Sequence, residues 1–435
     1  MQKDKIRVVW ICEFSNKKIR EKLHFEKYSL LLFIRKLFHK PNNIVDFGEW
    51  NTNAIKEFEK FDNIELHIIS HHLFLKQKVE NFVLNNINYH FFKPKGNSLF
   101  SILKRKFYPN SKTTYKNNAL IINKIINNIQ PDIVHLIGAE NPHYSSSVLS
   151  LDNKYPLIVT LQTLMSDPNF LSNYPISKEL YEYRSNIEKE VIKRADYIGT
   201  SIENYAKKIR QYITKDAIFV ICRLALGEAI HNDKTTKKYD FVYFSKDIEK
   251  AGDWAIKAFI LAQKKNPQIS LLVIGRYTPN FKEELDKLII ENKIEPNVTF
   301  TGSLPTHDDV INKIKEARYA LLPLKIDLIS GTIREAMACG LPVITTRTEG
   351  TPNLNTKREC ILISEPNDFQ DMANKMLNLM DNSQYADTLR NNSLITINER
   401  YNNTLAMQGW VDAYKAILKH YHHNTPIPTH LLLNI

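Results

Sequence analysis

Short apolar runs alternate with longer amphipathic segments along almost the whole chain. Runs with the length and composition of strands lie at residues 6–12, 65–70, 133–137, 157–161, 197–200, 217–221, 240–244, 270–274, 298–301, 319–322 and 342–346. Helical periodicity marks residues 116–129, 178–194, 250–265, 281–292, 308–316, 331–339, 369–380, 385–400 and 404–420. This strand–helix order occurs in both halves. It predicts two doubly wound α/β domains whose parallel sheets carry helices on both faces.

The boundary between the two predicted domains lies at residues 226–239, a polar stretch without periodicity. We therefore expect one domain over residues 1–225 and a second over residues 240–400. Residues 401–435 are expected to form a C-terminal helix and tail that return to the N-terminal domain. Ligands bind outside the carboxyl ends of strands in open parallel sheets, so a cleft between the domains is the expected site.

Composition supports a folded protein and excludes several classes. Hydrophobic residues make up 43% and charged residues 24% of the 435 positions, which is the profile of a globular chain. The four cysteines lack the spacing of a zinc ribbon or a disulfide framework. No apolar run approaches the roughly 18 residues that cross a bilayer, and no signal-peptide pattern is present. We therefore expect a cytoplasmic protein.

The net charge of +12 lies entirely in the first half. Residues 1–225 hold 34 basic and 22 acidic residues, whereas the remaining basic and acidic residues are equal in number. This asymmetry indicates an anionic partner, either nucleic acid, a phosphorylated substrate or anionic lipid, unless the abundant lysine only reflects genome composition. The apolar and basic residues 28–40 and the basic and aromatic residues 104–108 predict peripheral contact with an anionic membrane. For residues 28–40 a buried helix is the alternative.

The residues around 327–335 have the chemistry of a nucleotide site. A strand ends near residue 322, and a helix is predicted to begin at Ser330, Gly331 and Thr332. A helix N-terminus offers unpaired N–H groups to phosphate, and Glu335, one turn inside, can accept hydrogen bonds from ribose hydroxyls. Asp327 precedes the loop and can contact sugar hydroxyls. The alternative is that both acids are solvated groups that simply favour a helix N-terminus.

Residues 336–343 read Ala-Met-Ala-Cys-Gly-Leu-Pro-Val. Together with the two acids eight positions apart, they resemble the GT4 family of retaining glycosyltransferases, which have a Glu-x7-Glu motif before Ala-Met-Ala-x-Gly-x-Pro-Val. The resemblance implies that Glu335 binds the nucleotide ribose and that Asp327, where the family usually has Glu, binds the donor sugar. It also implies the GT-B fold, two Rossmann-like domains that face each other across a cleft, with C-terminal helices.

Further matches to the family extend over residues 240–420. The strand that ends at Gly275 and the segment that ends at Leu304 resemble the family's strand end and the stretch whose backbone meets the nucleotide base. Residues 245–252 resemble the loop that binds the donor diphosphate, which implies that Lys246 and Lys250 are its cations. Lys246 stands where the family has Arg, and the alternative is that both lysines are surface charges.

The N-terminal half resembles the family more loosely. Residues 131–135 and 193–201 are similar to its strand end and its Arg-Arg-Ala-Asp segment, and the usual glycine-rich loop after the first strand is absent. Residues 138–143 resemble an acceptor-side loop, which implies that His135, Glu140 and His143 lie on the acceptor side. The alternative for each histidine is a structural role.

The resemblance implies a hexosyltransferase in which Asp327, Lys246, Lys250 and His143 are catalytic. The expected donor is a UDP-sugar, and the expected acceptor is a glycan or lipid-linked glycan in bacterial surface polysaccharide or glycoconjugate synthesis. No Asp-x-Asp pair follows a strand, and Asp308 with Asp309 is predicted to cap a helix after Thr306. We therefore expect no metal and no cofactor beyond the nucleotide sugar.

Three other functions remain open from the sequence. The first is a sugar-nucleotide epimerase of the same architecture. The second is a catalytically silent nucleotide-sugar-binding partner in a glycan-assembly complex. The third, nucleic-acid binding, is prompted only by charge and has no helix-turn-helix, RNP or zinc pattern, so no nucleic-acid partner is expected. A dinucleotide dehydrogenase is disfavoured because no G-x-G-x-x-G follows a strand.

Overall fold

A computed structural model of the protein describes residues 5–25, 46–94, 115–167, 177–225, 235–247, 251–325, 330–348 and 350–433. The chain forms two compact units: unit 1 joins Met1–Ala225 with Asn403–Ile435, and unit 2 is Leu226–Asn402. The proposed membrane-contact segments, residues 28–40 and 104–108, lie outside the described residues. Most of the predicted boundary segment, residues 226–234, lies outside them as well.

Unit 1 is built on an eight-stranded sheet of order β3-β4-β2-β1-β5-β6-β7-β8. Its strands are β1 (Ile6–Ile11), β2 (Ile64–His71), β3 (Val79–Leu84), β4 (Ile87–Phe92), β5 (Ile133–Ile137), β6 (Leu157–Thr160), β7 (Tyr197–Thr200) and β8 (Phe219–Ile221). All neighbouring strands run parallel except β3 and β4, which form an antiparallel hairpin at one edge. The chain leaves β1 toward β2 on one side and later returns to β5 on the other, so β1 and β5 flank a topological switch point.

The helices of unit 1 pack along this sheet and fill its core. They are α1 (Lys17–Arg20), α2 (Glu49–Phe58), α3 (Lys116–Ile129), α4 (Pro142–Ser145), α5 (Lys178–Arg194), α6 (Glu203–Tyr212) and the C-terminal α13 (Asn403–His423). Helix α3 shows why such segments are helical: Ile121, Ile122, Ile125 and Ile126 form one buried face, as the 3.6-residue period requires. It ends at Gln130, which has a left-handed backbone, just before a proline.

Unit 2 is built on a six-stranded parallel sheet of order β11-β10-β9-β12-β13-β14. Its strands are β9 (Tyr239–Asp247), β10 (Leu271–Arg276), β11 (Val298–Gly302), β12 (Ala317–Leu322), β13 (Val343–Thr346) and β14 (Ile361–Ser364). Its helices are α7 (Gly252–Lys265), α8 (Pro279–Glu291), α9 (His307–Ile314), α10 (Gly331–Ala338), α11 (Phe369–Asp381) and α12 (Ser383–Arg400). The prediction of two doubly wound α/β domains is confirmed.

Polar side chains fix where several helices of unit 2 begin. At α9 the Thr306 hydroxyl accepts from the Asp309 N–H, and the Asp309 carboxylate accepts from the Thr306 N–H, so the predicted capping role of Asp309 is confirmed. Helix α11 also begins at a side-chain cap. Asp368 is the N-cap and its side chain accepts from the Asp371 N–H, whereas Asn367 has a left-handed φ of 67°.

Besides the short helices α1 and α4, five elements were not predicted from the sequence. They are the edge hairpin β3–β4, the strand β14 and the helices α2 and α6. Strand β3 has exposed and half-buried positions with only one buried residue, so it lacks the continuous apolar run of a central strand. Its turn is Asn85-Asn86, both with positive φ, and this pair is the signal that marks a two-residue hairpin.

Among the described residues, no helix is both long enough and apolar enough to cross a membrane.

Candidate functional site

The carboxyl edge of the unit 2 sheet carries most of the residues that the sequence singled out there. Strand β9 lies between β10 and β12, because the chain first adds strands on one side of β9 and then crosses to the other. That arrangement places a switch point at the carboxyl ends of β9 and β12. Helix α10 is the next element of the chain after β12, and it begins at this edge.

The N-terminus of α10 suits a phosphate group. Ser330 is the N-cap residue, but its side chain caps no backbone N–H. The Ser330 hydroxyl lies 2.6 Å from the Thr332 hydroxyl instead. Gly331 is exposed, and a Cβ built on it would have no atom within 4 Å. The first turn of α10 therefore presents N–H groups beside open space, as helix ends that bind anions do.

Glu335 lies one turn inside α10 and is 9% exposed. Its Oε1 lies 3.3 Å from Nε2 of His307, the first residue of α9. Sequence reasoning missed His307, because the two residues are 28 positions apart and only the packing of α9 against α10 brings them together. A histidine at this distance can restrain the orientation of the Glu335 carboxylate through a polar contact.

Gly275 and Leu304 lie at neighbouring positions of the same edge. Gly275 interrupts the end of β10 with a φ of 145°, and the pairing of β10 with β9 shifts its register there. A side chain at this φ would be strained, so glycine permits the turn of the backbone. Leu304 follows β11 and packs, half-buried, against the unit 2 core.

Three of the predicted catalytic residues cannot be placed in full. Asp327 and Lys250 lie outside the described residues, and for Lys246 the structure describes only the backbone, which belongs to β9. Lys325, which the sequence did not single out, follows β12, and its Nζ lies 2.9 Å from Asp253 in the first turn of α7. The same Nζ lies 5.6 Å from the centre of the Trp254 ring. A cation therefore links the chain after β12 to the start of α7.

A second polar cluster lies at the switch point of unit 1. Glu13 follows β1, His71 ends β2, and His143 lies in α4, just after β5. Nε2 of His71 is 3.8 Å from Glu13 Oε1, and Nε2 of His143 is 3.7 Å from Glu13 Oε2. Burial lowers the pKa of His71 to about 4. Of these three residues the sequence had indicated only His143, because Glu13 and His71 belong to no local motif.

Glu140 lies in the loop before α4 and is buried. Its Oε2 has no hydrogen-bond partner among the described residues. Burial raises the pKa of the carboxyl to about 7, and the nearby Arg184 guanidinium opposes this rise. Arg184 donates to the Glu140 carbonyl and to Asn141 Oδ1, which fixes the loop. A buried carboxyl with a raised pKa at a strand end is typical of functional sites.

The acceptor-side prediction is wrong for His135. Its side chain is fully buried in the middle of the sheet, with Nδ1 2.6 Å from the Tyr414 hydroxyl and Nε2 2.6 Å from the Thr160 hydroxyl. Tyr414 also accepts a hydrogen bond of 2.8 Å from the Trp10 indole. His135 therefore attaches helix α13 to the sheet of unit 1, and its side chain is inaccessible to substrate.

The sequence of unit 2 matches a known family. Residues 239–382 match the family model described as glycosyl transferases group 1. This range runs from β9 to the end of α11, and it includes the N-terminus of α10 and Glu335.

Curated glycosyltransferases are similar to this chain in sequence, and solved structures are similar to it in fold. It is 22% identical over 343 residues to the uncharacterized glycosyltransferase MJ1178 of Methanocaldococcus jannaschii, covering 77% of this chain and 85% of that protein. It is 25% identical over 165 residues to the capsular polysaccharide biosynthesis glycosyltransferase CapM of Staphylococcus aureus, covering 38% of this chain and 42% of CapM. Its fold is similar to that of Anabaena Alr3699/HepE, solved in complex with UDP and glucose, with a TM-score of 0.61, 13% identity and coverage of 94% and 99%.

Proposed function

We propose that this chain, which belongs to the group 1 glycosyltransferases and has the GT-B fold, transfers a sugar from a UDP-sugar to a glycan or lipid-linked glycan with retention of anomeric configuration. The observation that carries the proposal is the N-terminus of α10, where uncapped N–H groups lie one turn from the buried Glu335. Phosphate and ribose are the adjacent parts of a nucleotide that these two groups recognise.

Unit 2 binds the donor in this proposal. The diphosphate lies at the N-terminus of α10 near Gly331 and Thr332, with Lys246 and Lys250 as its cations. Glu335 accepts hydrogen bonds from the ribose, and Asp327 contacts the sugar. The base meets the backbone between β11 and Leu304. UDP is favoured because Alr3699/HepE, which has the same fold, was solved with UDP and glucose.

Unit 1 binds the acceptor. The Glu140 carboxylate is buried with one oxygen unpartnered among the described residues, so an acceptor hydroxyl can supply the missing hydrogen bond. His143 lies on the same edge of the sheet. The positive excess of residues 1–225 favours an acceptor that itself carries phosphate, such as a lipid-linked glycan at the inner face of a bacterial membrane. The match to CapM supports a role in surface polysaccharide synthesis.

The chemical step forms a bond from the acceptor oxygen to the anomeric carbon and breaks the bond from that carbon to the β-phosphate oxygen. The proton of the acceptor hydroxyl passes to the leaving diphosphate. Negative charge develops on the leaving diphosphate, and the lysines with the helix N-terminus stabilise it. Loss of one such donor typically costs about 3 kcal/mol in the barrier. Because cations of the protein hold the diphosphate, we propose that unit 2 needs no metal ion.

The test is turnover of a panel of nucleotide sugars by the full chain, with and without glycan acceptors and in the presence of EDTA. We expect UDP-sugar to be consumed, with the anomeric configuration of the product, read by NMR, equal to that of the donor. Conversion of the donor to an isomeric nucleotide sugar without acceptor would instead identify an epimerase. Donor binding with no turnover across the panel would identify a silent binding partner.

A further inference from the structure

Three side chains that are far apart in the sequence meet at the switch point of unit 1. Strand β1 pairs in parallel with β2 on one side and with β5 on the other, so the residues that follow β1 and β5 and the end of β2 share one edge. Glu13, His71 and His143 occupy those positions. Their nearest ligand atoms all lie within 4.8 Å of one another.

The spacing of these atoms suits an ion better than direct hydrogen bonds. Each histidine directs Nε2 toward a different oxygen of the Glu13 carboxylate, at 3.8 Å and 3.7 Å, and both distances exceed the range of a hydrogen bond. Two ligands bonded to Zn²⁺ at about 2.0–2.1 Å lie about 3.3–3.6 Å apart at angles near those of a tetrahedron or triangle. Movements of up to about 1 Å would therefore bring the three atoms within bonding distance of one ion.

The surrounding residues hold the three groups in this arrangement. The imidazole rings of His71 and His143 meet edge to face, with centroids 4.5 Å apart. Phe92 packs against His71, and Tyr144 packs against His143. The Asn51 amide donates to the Glu13 carbonyl at 3.1 Å. The site is thus built from side chains whose orientation the fold already restricts, which lowers the cost of ordering them around a metal.

We propose that Glu13, His71 and His143 bind one divalent transition-metal ion, with Zn²⁺ as the best fit, and leave a fourth coordination position open. Two imidazoles and one carboxylate form a donor set that zinc accepts in open, four-coordinate sites. The same set disfavours Mg²⁺ and Ca²⁺, which take oxygen ligands. In the bound state His143 acts as a metal ligand, and an acceptor hydroxyl or a water molecule can take the open position.

The metal site does not rest on the proposed glycosyl transfer. Its three residues lie in unit 1, whereas the proposed donor residues lie in unit 2. Zinc binding and UDP binding can therefore be measured separately. A negative result for zinc binding would not contradict the proposed glycosyl transfer, and a negative result for UDP binding would not contradict the metal site.

The experiment titrates Zn²⁺ into the full chain, freed of metal with a chelator and dialysed, in competition with a chromogenic zinc indicator. The background is a His422→Ala, His423→Ala double variant, because these exposed histidines at the end of α13 would bind zinc adventitiously. We expect one equivalent of zinc bound to this background chain. Replacement of a residue that merely orients a zinc ligand costs about 10–100-fold in affinity, so Glu13→Gln and His71→Gln should each cost at least that much.

Two controls keep the outcome decisive. His90→Gln changes a half-buried histidine of the same sheet, which contacts His67 and Asn81, and it should leave zinc binding unchanged. Co²⁺ bound to the background chain should show the intense visible absorption of a four-coordinate ion, and Glu13→Gln should abolish it. The proposal is overturned if the background chain binds no stoichiometric zinc, or if folded Glu13→Gln and His71→Gln bind it as tightly as the background does.

Discussion

Replacement of Tyr414 by phenylalanine should destabilise unit 1 strongly, although it removes a single oxygen atom. The Tyr414 hydroxyl accepts from the Trp10 indole N–H and contacts His135 Nδ1. Because a hydroxyl has one proton and the indole already donates to it, that proton goes to Nδ1. Neutral His135 then donates from Nε2 to Thr160. The chain of hydrogen bonds connects α13 to β1, β5 and β6.

The size of the effect follows from the two buried groups that Tyr414→Phe leaves without their hydrogen-bond partner. The Trp10 N–H and His135 Nδ1 are fully buried, so water cannot replace the lost hydroxyl without opening the core. Each buried group left unsatisfied costs about 1–3 kcal/mol. Allowing for some relaxation, we expect a loss of about 3 kcal/mol in the free energy of unfolding of unit 1.

The assay is urea unfolding followed by tryptophan fluorescence, since Trp10 and Trp410 both lie in the unit 1 core. Tyr421→Phe is the matched control. Tyr421 lies on the same helix, and its hydroxyl donates to the Asn153 carbonyl near the surface, so its loss should change stability by about 0.5 kcal/mol or less. If Tyr414→Phe shifted the transition no more than Tyr421→Phe does, the proposed attachment of α13 through His135 would be refuted.

Two further predictions concern His135, which is buried in unit 1, and His307, which contacts Glu335. Burial lowers the pKa of His135 to about 3. Below pH 6.5 the folded state therefore binds fewer protons than the unfolded state. As the pH falls from 6.5 toward 3, unit 1 should lose stability by about 1.4 kcal/mol per pH unit. Urea midpoints measured at pH 7 and pH 5 should show this loss, and His135→Gln should show a smaller one; equal losses would rule out His135 as the cause. For the donor site, His307→Gln should weaken UDP binding about 3–10-fold, the effect of losing one polar contact of roughly 1 kcal/mol, with an unchanged urea midpoint. Unchanged UDP affinity would show that His307 does not position Glu335.

The elements that the sequence predicts well are those whose signal is local. Helix α3 is predicted with its observed bounds, because its buried isoleucines recur with helical period and a proline follows its end. The start of α10 is equally local, since strand, loop, Ser330 and Gly331 follow one another directly. Strand β3 is not predicted because its sequence has no continuous apolar run and most of its positions are exposed or half-buried.

The contacts between side chains from different elements are what the sequence could not supply. His307 meets Glu335 only through the packing of α9 beside α10, and Glu13 meets His71 and His143 only through the strand order of unit 1. The prediction for His135 fails for the same reason. A histidine near the end of an apolar strand can point to solvent or into the core. Here the side chain points into the core, where it contacts Tyr414, a residue 279 positions away in the sequence.

The central claim, that unit 2 binds a nucleotide through Glu335, is tested most directly by calorimetric titration of UDP into wild type, Glu335→Gln and Glu283→Gln in the presence of EDTA. Glu283 is a matched acid on the surface of α8, where its carboxylate lies 3.1 Å from Lys287 Nζ. Because hydrogen bonds to a charged group contribute about 1.5–3 kcal/mol, we predict that Glu335→Gln weakens UDP binding by about 10–100-fold. Glu283→Gln should bind UDP as wild type does. Equal affinity of Glu335→Gln and wild type for UDP would contradict the account.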